Sequence, residues 1–247
     1  MAAGRALARN DVRGIARDPL LSSLLLLPPA LILGIRVAAP RLMAWLQAAH
    51  GFDATPYLPW ALSALFLLNT PVMLVGGVFG LMLLDERDDG TLTALRVTPL
   101  GLRGYLAYRL AGAAVLGLGS AVGGMALTGL APPGSIGAIA WVALPTSLLA
   151  AGCTVMVAVI ADNKVEGLAV MKGASFVLAA PLLAWFIDSR WTALLGVIPT
   201  YWPLKGFWEG ADGGSAWSYA LIGTAYATGV LALLLRRLDA KVGAGEA

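Results

Sequence analysis

Charge is what this sequence has least of. Only 13% of its 247 residues are charged, against 59% hydrophobic. An ordinary globular domain carries about a quarter of its residues as charge, so the polar coat of a solvated fold is absent. Thiols and imidazoles are scarcer still. One cysteine excludes an internal disulfide framework, and one cysteine with one histidine excludes a standard zinc site. No G-x-x-x-x-G-K-[ST] stretch occurs, so this chain cannot cradle nucleotide phosphates in a P-loop. H-E-x-x-H and G-x-S-x-G are missing as well, and with them two common routes to hydrolysis. A net charge of +3 with a pI near 9.2 could suit nucleic acid on a polar chain. On a chain of mean hydropathy +0.80 it reads as membrane topology instead, and no nucleic-acid partner is expected.

What is present is long and apolar. A helix needs about 20 apolar residues to cross a hydrocarbon core of about 30 Å. Six stretches reach that length: Leu20–Ala39, Leu58–Leu84, Leu102–Leu130, Ile136–Ala161, Gly167–Ile187 and Trp217–Leu235. Lys172 lies near the start of the fifth, one turn inside, where a lysine can snorkel to the headgroups. No run alternates as a barrel strand would, so helices must satisfy the backbone. The expected fold is an all-α integral membrane protein, a single transmembrane domain over 1–247.

Basic residues orient the spans. Thirteen fall on one side: Arg5, Arg9, Arg13 and Arg17; Arg87, Arg96, Arg103 and Arg109; Lys164 and Lys172; Arg236, Arg237 and Lys241. Four fall on the other, at Arg36, Arg41, Arg190 and Lys205. The richer side is expected to be cytoplasmic, with both termini on it. The first span resembles a secretory signal only as far as Ala38-Ala39, because Pro40 would block cleavage there. Arg5, Arg9, Arg13 and Arg17 recur every four residues, which predicts a helix over 1–19 lying in the lipid interface, ended by Asp18-Pro19.

All eight tryptophans sit at or beyond the opposite ends of the spans. Interfacial anchoring accounts for them, and so does an aromatic wall at an outer mouth. Residues 40–57 read as a first external loop, where the lone His50 has no partner cluster. The second external region, 188–216, holds Trp191, Pro199, Tyr201, Trp202, Pro203 and Trp208. Its apolar piece Ala193–Ile198 makes about 9 Å of helix, too short to cross. A re-entrant hairpin before the last span is the expectation. Gly76–Gly80 and Gly119–Gly123 have helix-packing spacing, and Asn69-Thr70-Pro71 and Pro145 predict kinks.

No ionisable residue lies at the centre of a span, and only Asn69 and scattered hydroxyls are polar at that depth. Ion-coupled carriers need such groups. Energy for uphill transport would therefore come from another polypeptide. Asp85, Glu86, Asp88 and Asp89 could hold a divalent ion, but no second carboxylate set accompanies them. They open the most informative stretch, 85–101, which reads as a short amphipathic helix stopped by Pro99. Such a helix is either a plain connector or a surface for a cytoplasmic partner.

This stretch resembles the first cytoplasmic connection of the type-two ABC exporter permeases, E-R-x-x-G-T-x-x-x-L-x-x-T-P-L followed by a tyrosine and a basic residue. The matching residues are Glu86-Arg87, Gly90-Thr91, Leu95, Thr98-Pro99-Leu100, Tyr105 and Arg109. Pro199-Thr200 and Pro203-Leu204 look like the compact drug-efflux branch, the fluoroquinolone permeases. The resemblance implies two paired permeases, identical or different, docked on separate ABC ATPase subunits. It places Glu86, Arg87, Gly90, Thr91, Leu95, Thr98 and Pro99 in the coupling segment and none in catalysis. ATP and magnesium would belong to the ATPase, leaving this chain without a cofactor. The implied setting is the bacterial cell membrane and its lipids. An ion-coupled transporter and a membrane-embedded lipid-modifying enzyme are the alternatives.

Overall fold

A computed structural model describes residue 14, residues 16–91 and residues 101–243. Among these residues there are helices and no strands. Six helices are long and apolar enough to cross a membrane: α1 (Pro19–His50), α2 (Thr55–Asp88), α3 (Gly101–Leu127), α4 (Ile136–Ile160), α5 (Lys164–Trp185) and, after the short α6 (Tyr201–Ala211), the last span α7 (Ala216–Gly243). The six expected spans are all present.

Two of them form the core. The central window of α2 is 94% buried and that of α4 72%, while the other four spans bury 28% or less. Small residues bring the pair together. A Cβ on Gly76 would lie 2.5 Å from the Ala150 carbonyl oxygen, and one on Gly80 would lie 2.7 Å from the Val157 Cβ. Thr154 then bridges the helices by donating to the Gly76 carbonyl at 2.9 Å. The Gly76–Gly80 spacing thus serves packing inside the chain. Gly119 has open space where its side chain would be, so the second such pair is not used in the same way.

The loop expected over residues 40–57 is shorter than that. Residues 40–50 continue α1 without a break, although Pro28, Pro29 and Pro40 lie inside it. Pro40 supplies no amide, and on the turn it disturbs the Arg41 guanidinium donates to the Val37 carbonyl at 2.9 Å. Gly51 ends the helix in the left-handed conformation, at φ 65°. His50 closes the last turn, edge-on to Trp45. The helix α1 is about 48 Å long, well beyond the hydrocarbon thickness. In α2, the Asn69-Thr70-Pro71 kink takes a specific form: residues Ala64–Val75 are wound as a π-helix, which absorbs Pro71.

Region 188–216 is also helical, with a 3₁₀ segment Arg190–Val197 followed by α6. Tyr201, Pro203 and Trp208 are buried, Pro199 and Trp202 half-buried, and Trp191 exposed. Gly210 lets α6 lie against α4, since a Cβ there would meet Ala138 Cβ at 2.4 Å. Indoles and hydroxyls join this end of the bundle. Trp208 donates to Ser63 Oγ at 2.8 Å, Trp60 to the Leu182 carbonyl at 3.1 Å and Trp202 to the Gly196 carbonyl at 3.0 Å.

Candidate coupling site

The opposite end carries the start of α1, the end of α2 and the end of α7, and is joined by charge. Arg87 lies in the last turn of α2, where a cation suits the helix dipole. Asp85 and Glu86 oppose that dipole, so each needs a cation of its own. Successive residues on a helix point about 100° apart, and here the three diverge to three sets of partners. Asp85 accepts from Lys164 Nζ at 2.9 Å, and the same ammonium reaches Asp18 at 2.6 Å. Glu86 accepts from the Arg109 guanidinium of α3. Arg87 donates to the Asp162 carbonyl oxygen at 2.7 Å and to its carboxylate at 3.2 Å. Lys241, near the end of α7, meets that carboxylate at 2.7 Å and the Val159 carbonyl at 3.1 Å.

Each receiving element is fixed locally. Asp18 is the N-cap of α1: its carboxylate accepts from the Leu20 and Leu21 amides at 2.8 and 3.1 Å, with Pro19 in the first turn. Asn163 and Glu166 set the α4–α5 turn. The Glu166 amide donates to Asn163 Oδ1 at 3.0 Å, and the Glu166 carboxylate accepts from the Asp162 amide at 2.7 Å. The reciprocal bonds of this capping-box-like turn hold Asp162 in place. The Lys164 ammonium holds the Asp18 carboxyl below the usual carboxylate range, helped by the α1 amides. The Lys241 ammonium, and then the Arg87 guanidinium, do the same for Asp162.

Arg109 is the unexpected member. Its position eight residues into α3 looks like part of the basic connection, yet its side chain is 2% exposed. Tyr105, one turn earlier, accepts from Arg109 Nε at 2.6 Å, and the guanidinium carbon lies 5.2 Å from the centre of the tyrosine ring. Burying an arginine requires partners of this kind. The Tyr105/Arg109 spacing of four was visible in the sequence, but the link to Glu86 across 23 positions was not.

Glu86 and Arg87 therefore turn inward. The outward surface of the segment is supplied by Asp88, Asp89, Gly90 and Thr91, all exposed. Gly90 is at φ 70°, a left-handed turn that ends α2. Leu95, Thr98 and Pro99 lie outside the described residues, as do Arg5, Arg9 and Arg13. Gly14 and residues 16–17 are helical, with Arg17 exposed. A cavity of about 360 Å³ is lined by Gly14 and Asp18 at the start of α1, by Met82, Asp85, Glu86, Asp89 and Thr91, and by Arg109 of α3. Among the described residues, no group of three His, Cys, Asp or Glu is placed to share a metal ion. Asp85 and Glu86 are already occupied by Lys164 and Arg109.

Comparison with known proteins gives one family. The family model of Rv2686c-like fluoroquinolones export permease proteins matches residues 11–235. Two relatives, both from Mycobacterium tuberculosis, are the fluoroquinolones export permease proteins MT2760 (strain CDC 1551 / Oshkosh) and Rv2686c (strain H37Rv). Each is 37% identical over 245 residues, covering 98% of this chain and 97% of the relative. No solved structure matches. The chain belongs to the fluoroquinolone export permease family and is a multi-pass membrane protein.

Proposed function

We propose that this family member is the membrane-spanning subunit of an ATP-driven exporter for amphipathic, drug-like molecules. Two permeases, identical or different, enclose the substrate path, and each docks a separate ABC ATPase on the charged end of the bundle. That end faces the cytoplasm, in keeping with the thirteen basic residues expected there. The chain is a transport subunit, and hydrolysis belongs to its partner. Its own cofactor need is none, since ATP and magnesium bind the ATPase.

The observation that carries this reading is the divergence of Asp85, Glu86 and Arg87. The exposed turn at 88–91 has no fixed role if it is a plain connector, and a connector does not need three ion pairs behind it. A docking surface does. Nucleotide-dependent movement of the ATPase shifts the permease only through contacts that differ between its states. Displacement of residues 88–91 would pass through Asp85 to α1 and α5, through Glu86 to α3, and through Arg87 to the α4–α5 turn and α7. Gly90 and Thr91, with Leu95, Thr98 and Pro99, form the contact in this scheme, and Glu86 and Arg87 form its anchorage. In this scheme the N-terminal segment bearing Arg5, Arg9, Arg13 and Arg17 serves as an interfacial helix, its guanidinium groups meeting the lipid headgroups.

At the other end, the 3₁₀ segment presents Trp191, Leu194 and Val197 outward, while Tyr201, Pro203 and Trp208 seat α6 on the bundle. This arrangement supports a hairpin dipping into the outer leaflet. The test of the whole reading is reconstitution into proteoliposomes. A fluoroquinolone should move against its gradient only when ATP and the partner ATPase are both present. Transport by the chain alone, or transport driven by a pH or sodium gradient, would overturn it.

A further inference from the structure

The deeply buried α2 has one opening. From Leu62 to Leu84 every residue is buried or half-buried except Asn69, which is exposed. Asn69 lies near the midpoint of the expected span Leu58–Leu84, too deep for its short side chain to reach either headgroup region. Its amide has no hydrogen-bond partner among the described residues. An amide in hydrocarbon pays the desolvation of both its donor and its acceptor. Lipid is therefore a poor neighbour for this position.

The local backbone makes the same point independently. Asn69 and Thr70 sit in the π-helical segment Ala64–Val75, where the Gly76 amide donates to the Pro71 carbonyl five residues back. Short π segments within α-helices are frequent at functional sites. Threonines elsewhere in the spans return their hydroxyl to the carbonyl four residues earlier: Thr146 to Val142, Thr154 to Ala150, Thr224 to Ala220 and Thr228 to Thr224. Thr70 is 1% exposed and its Oγ1 has no partner. Two adjacent polar side chains at mid-depth are thus left unsatisfied by the protein itself. One is aimed outward, with Leu65 and Met73 one turn away on either side.

We infer that Asn69 is a substrate-contacting residue, at which the π segment presents an amide to the transport path. The occupant is a mostly apolar or aromatic molecule carrying a hydrogen-bonding carbonyl or carboxyl group, since the amide can donate and accept while its surroundings are apolar. This rests on the exporter reading above for what passes along the path.

The test uses Asn69→Leu, which keeps the volume and removes both hydrogen-bonding groups, in the complete transporter with a fluoroquinolone as probe. Permease pairing should be retained, while the drug concentration for half-maximal transport rises about three- to tenfold, the loss of one neutral hydrogen bond. Asn69→Gln should recover part of it. An unchanged half-maximal concentration would overturn the assignment. So would loss of permease pairing, which would make the amide a contact between subunits. A second measurement needs neither ATP nor transport. In Asn69→Cys, a membrane-permeant thiol reagent should label residue 69 in preference to Cys153, which is buried, and the fluoroquinolone should slow that labelling. Labelling indifferent to drug would overturn the inference even if the wild-type complex failed to use ATP; that failure alone would count against the exporter reading.

Discussion

At one end of the bundle, carboxylates meet ammonium and guanidinium groups; at the other, indoles and hydroxyls donate to neutral oxygens. The charged joints at Asp18, Asp85, Glu86, Arg87, Arg109, Asp162, Lys164 and Lys241 touch every one of the six spans, yet most are half-exposed. Exposed ion pairs contribute about 0–1 kcal/mol each, so their number adds little stability. The joints of the aromatic end are buried, as Trp208 on Ser63 is, or half-buried, as Trp60 and Trp202 are. They stabilise by excluded water and close packing. The difference teaches that the two ends are suited to different tasks. Ion pairs in water can open and reform at small cost, which fits an end that moves with a partner. Buried indoles cannot, which fits an end that holds the helices together.

Substitutions can break or sharpen this contrast. The largest effect should come from the exception within the charged end, the Glu86–Arg109 pair, whose guanidinium is buried. Arg109→Met removes the buried guanidinium that Glu86 meets and should cost about 3–5 kcal/mol in unfolding measured in detergent micelles. Adding Glu86→Gln to it should restore part of the loss. A cost below about 1 kcal/mol would mean that the pair is solvated. Trp208→Phe should cost less, about 1–2 kcal/mol, because most of the ring is retained while the Ser63 hydroxyl loses its donor. Its effect should appear in thermal stability and not in drug transported per ATP. A change in that ratio would blur the division between the ends.

Lys241→Met should do the reverse. Its ammonium ties α7 to Asp162 at an exposed joint, so stability should fall by no more than about 1 kcal/mol, while ATP-driven transport weakens. The smallest effect is expected from acid. Folding lowers the pKa of both Asp18 and Asp162 below the reference value of 3.8. The stability they add is present above that value and is lost as pH falls through the folded pKa. Unfolding temperatures should therefore drop between about pH 5 and about pH 2, and less so in Asp162→Asn. An identical drop in that variant would move the acid sensitivity elsewhere.

Much of the fold was legible because the bilayer imposes one length and one polarity on every crossing helix. The span boundaries of α3 and α4 lie within a few residues of those expected, and the basic residues at 164, 236, 237 and 241 do share an end with Asp18 and residues 85–91. What was not legible required distances. Pro40 suggested a helix end, but Arg41 supports the turn it disturbs and α1 runs on to His50. Arg109 counted as one more cation in a basic connection, although it is buried. Asp162 drew no notice and Lys241 counted only as one more basic residue, because Arg87 and Asp162 are 75 residues apart in sequence and 3.2 Å apart in space. The segment 85–91 stood out from its motif, but the inward turn of Glu86 and Arg87 appears only in three dimensions.

In the proposed mechanism Asp85, Glu86 and Arg87 transmit movement from a docked ATPase to the spans. The most direct measurement is the amount of fluoroquinolone moved per ATP hydrolysed, in proteoliposomes holding the permease with its ATPase, for wild type and Arg87→Gln. The variant should keep its ATPase bound and hydrolysing while the drug moved per ATP falls several-fold. An unchanged ratio at equal ATPase occupancy would contradict it.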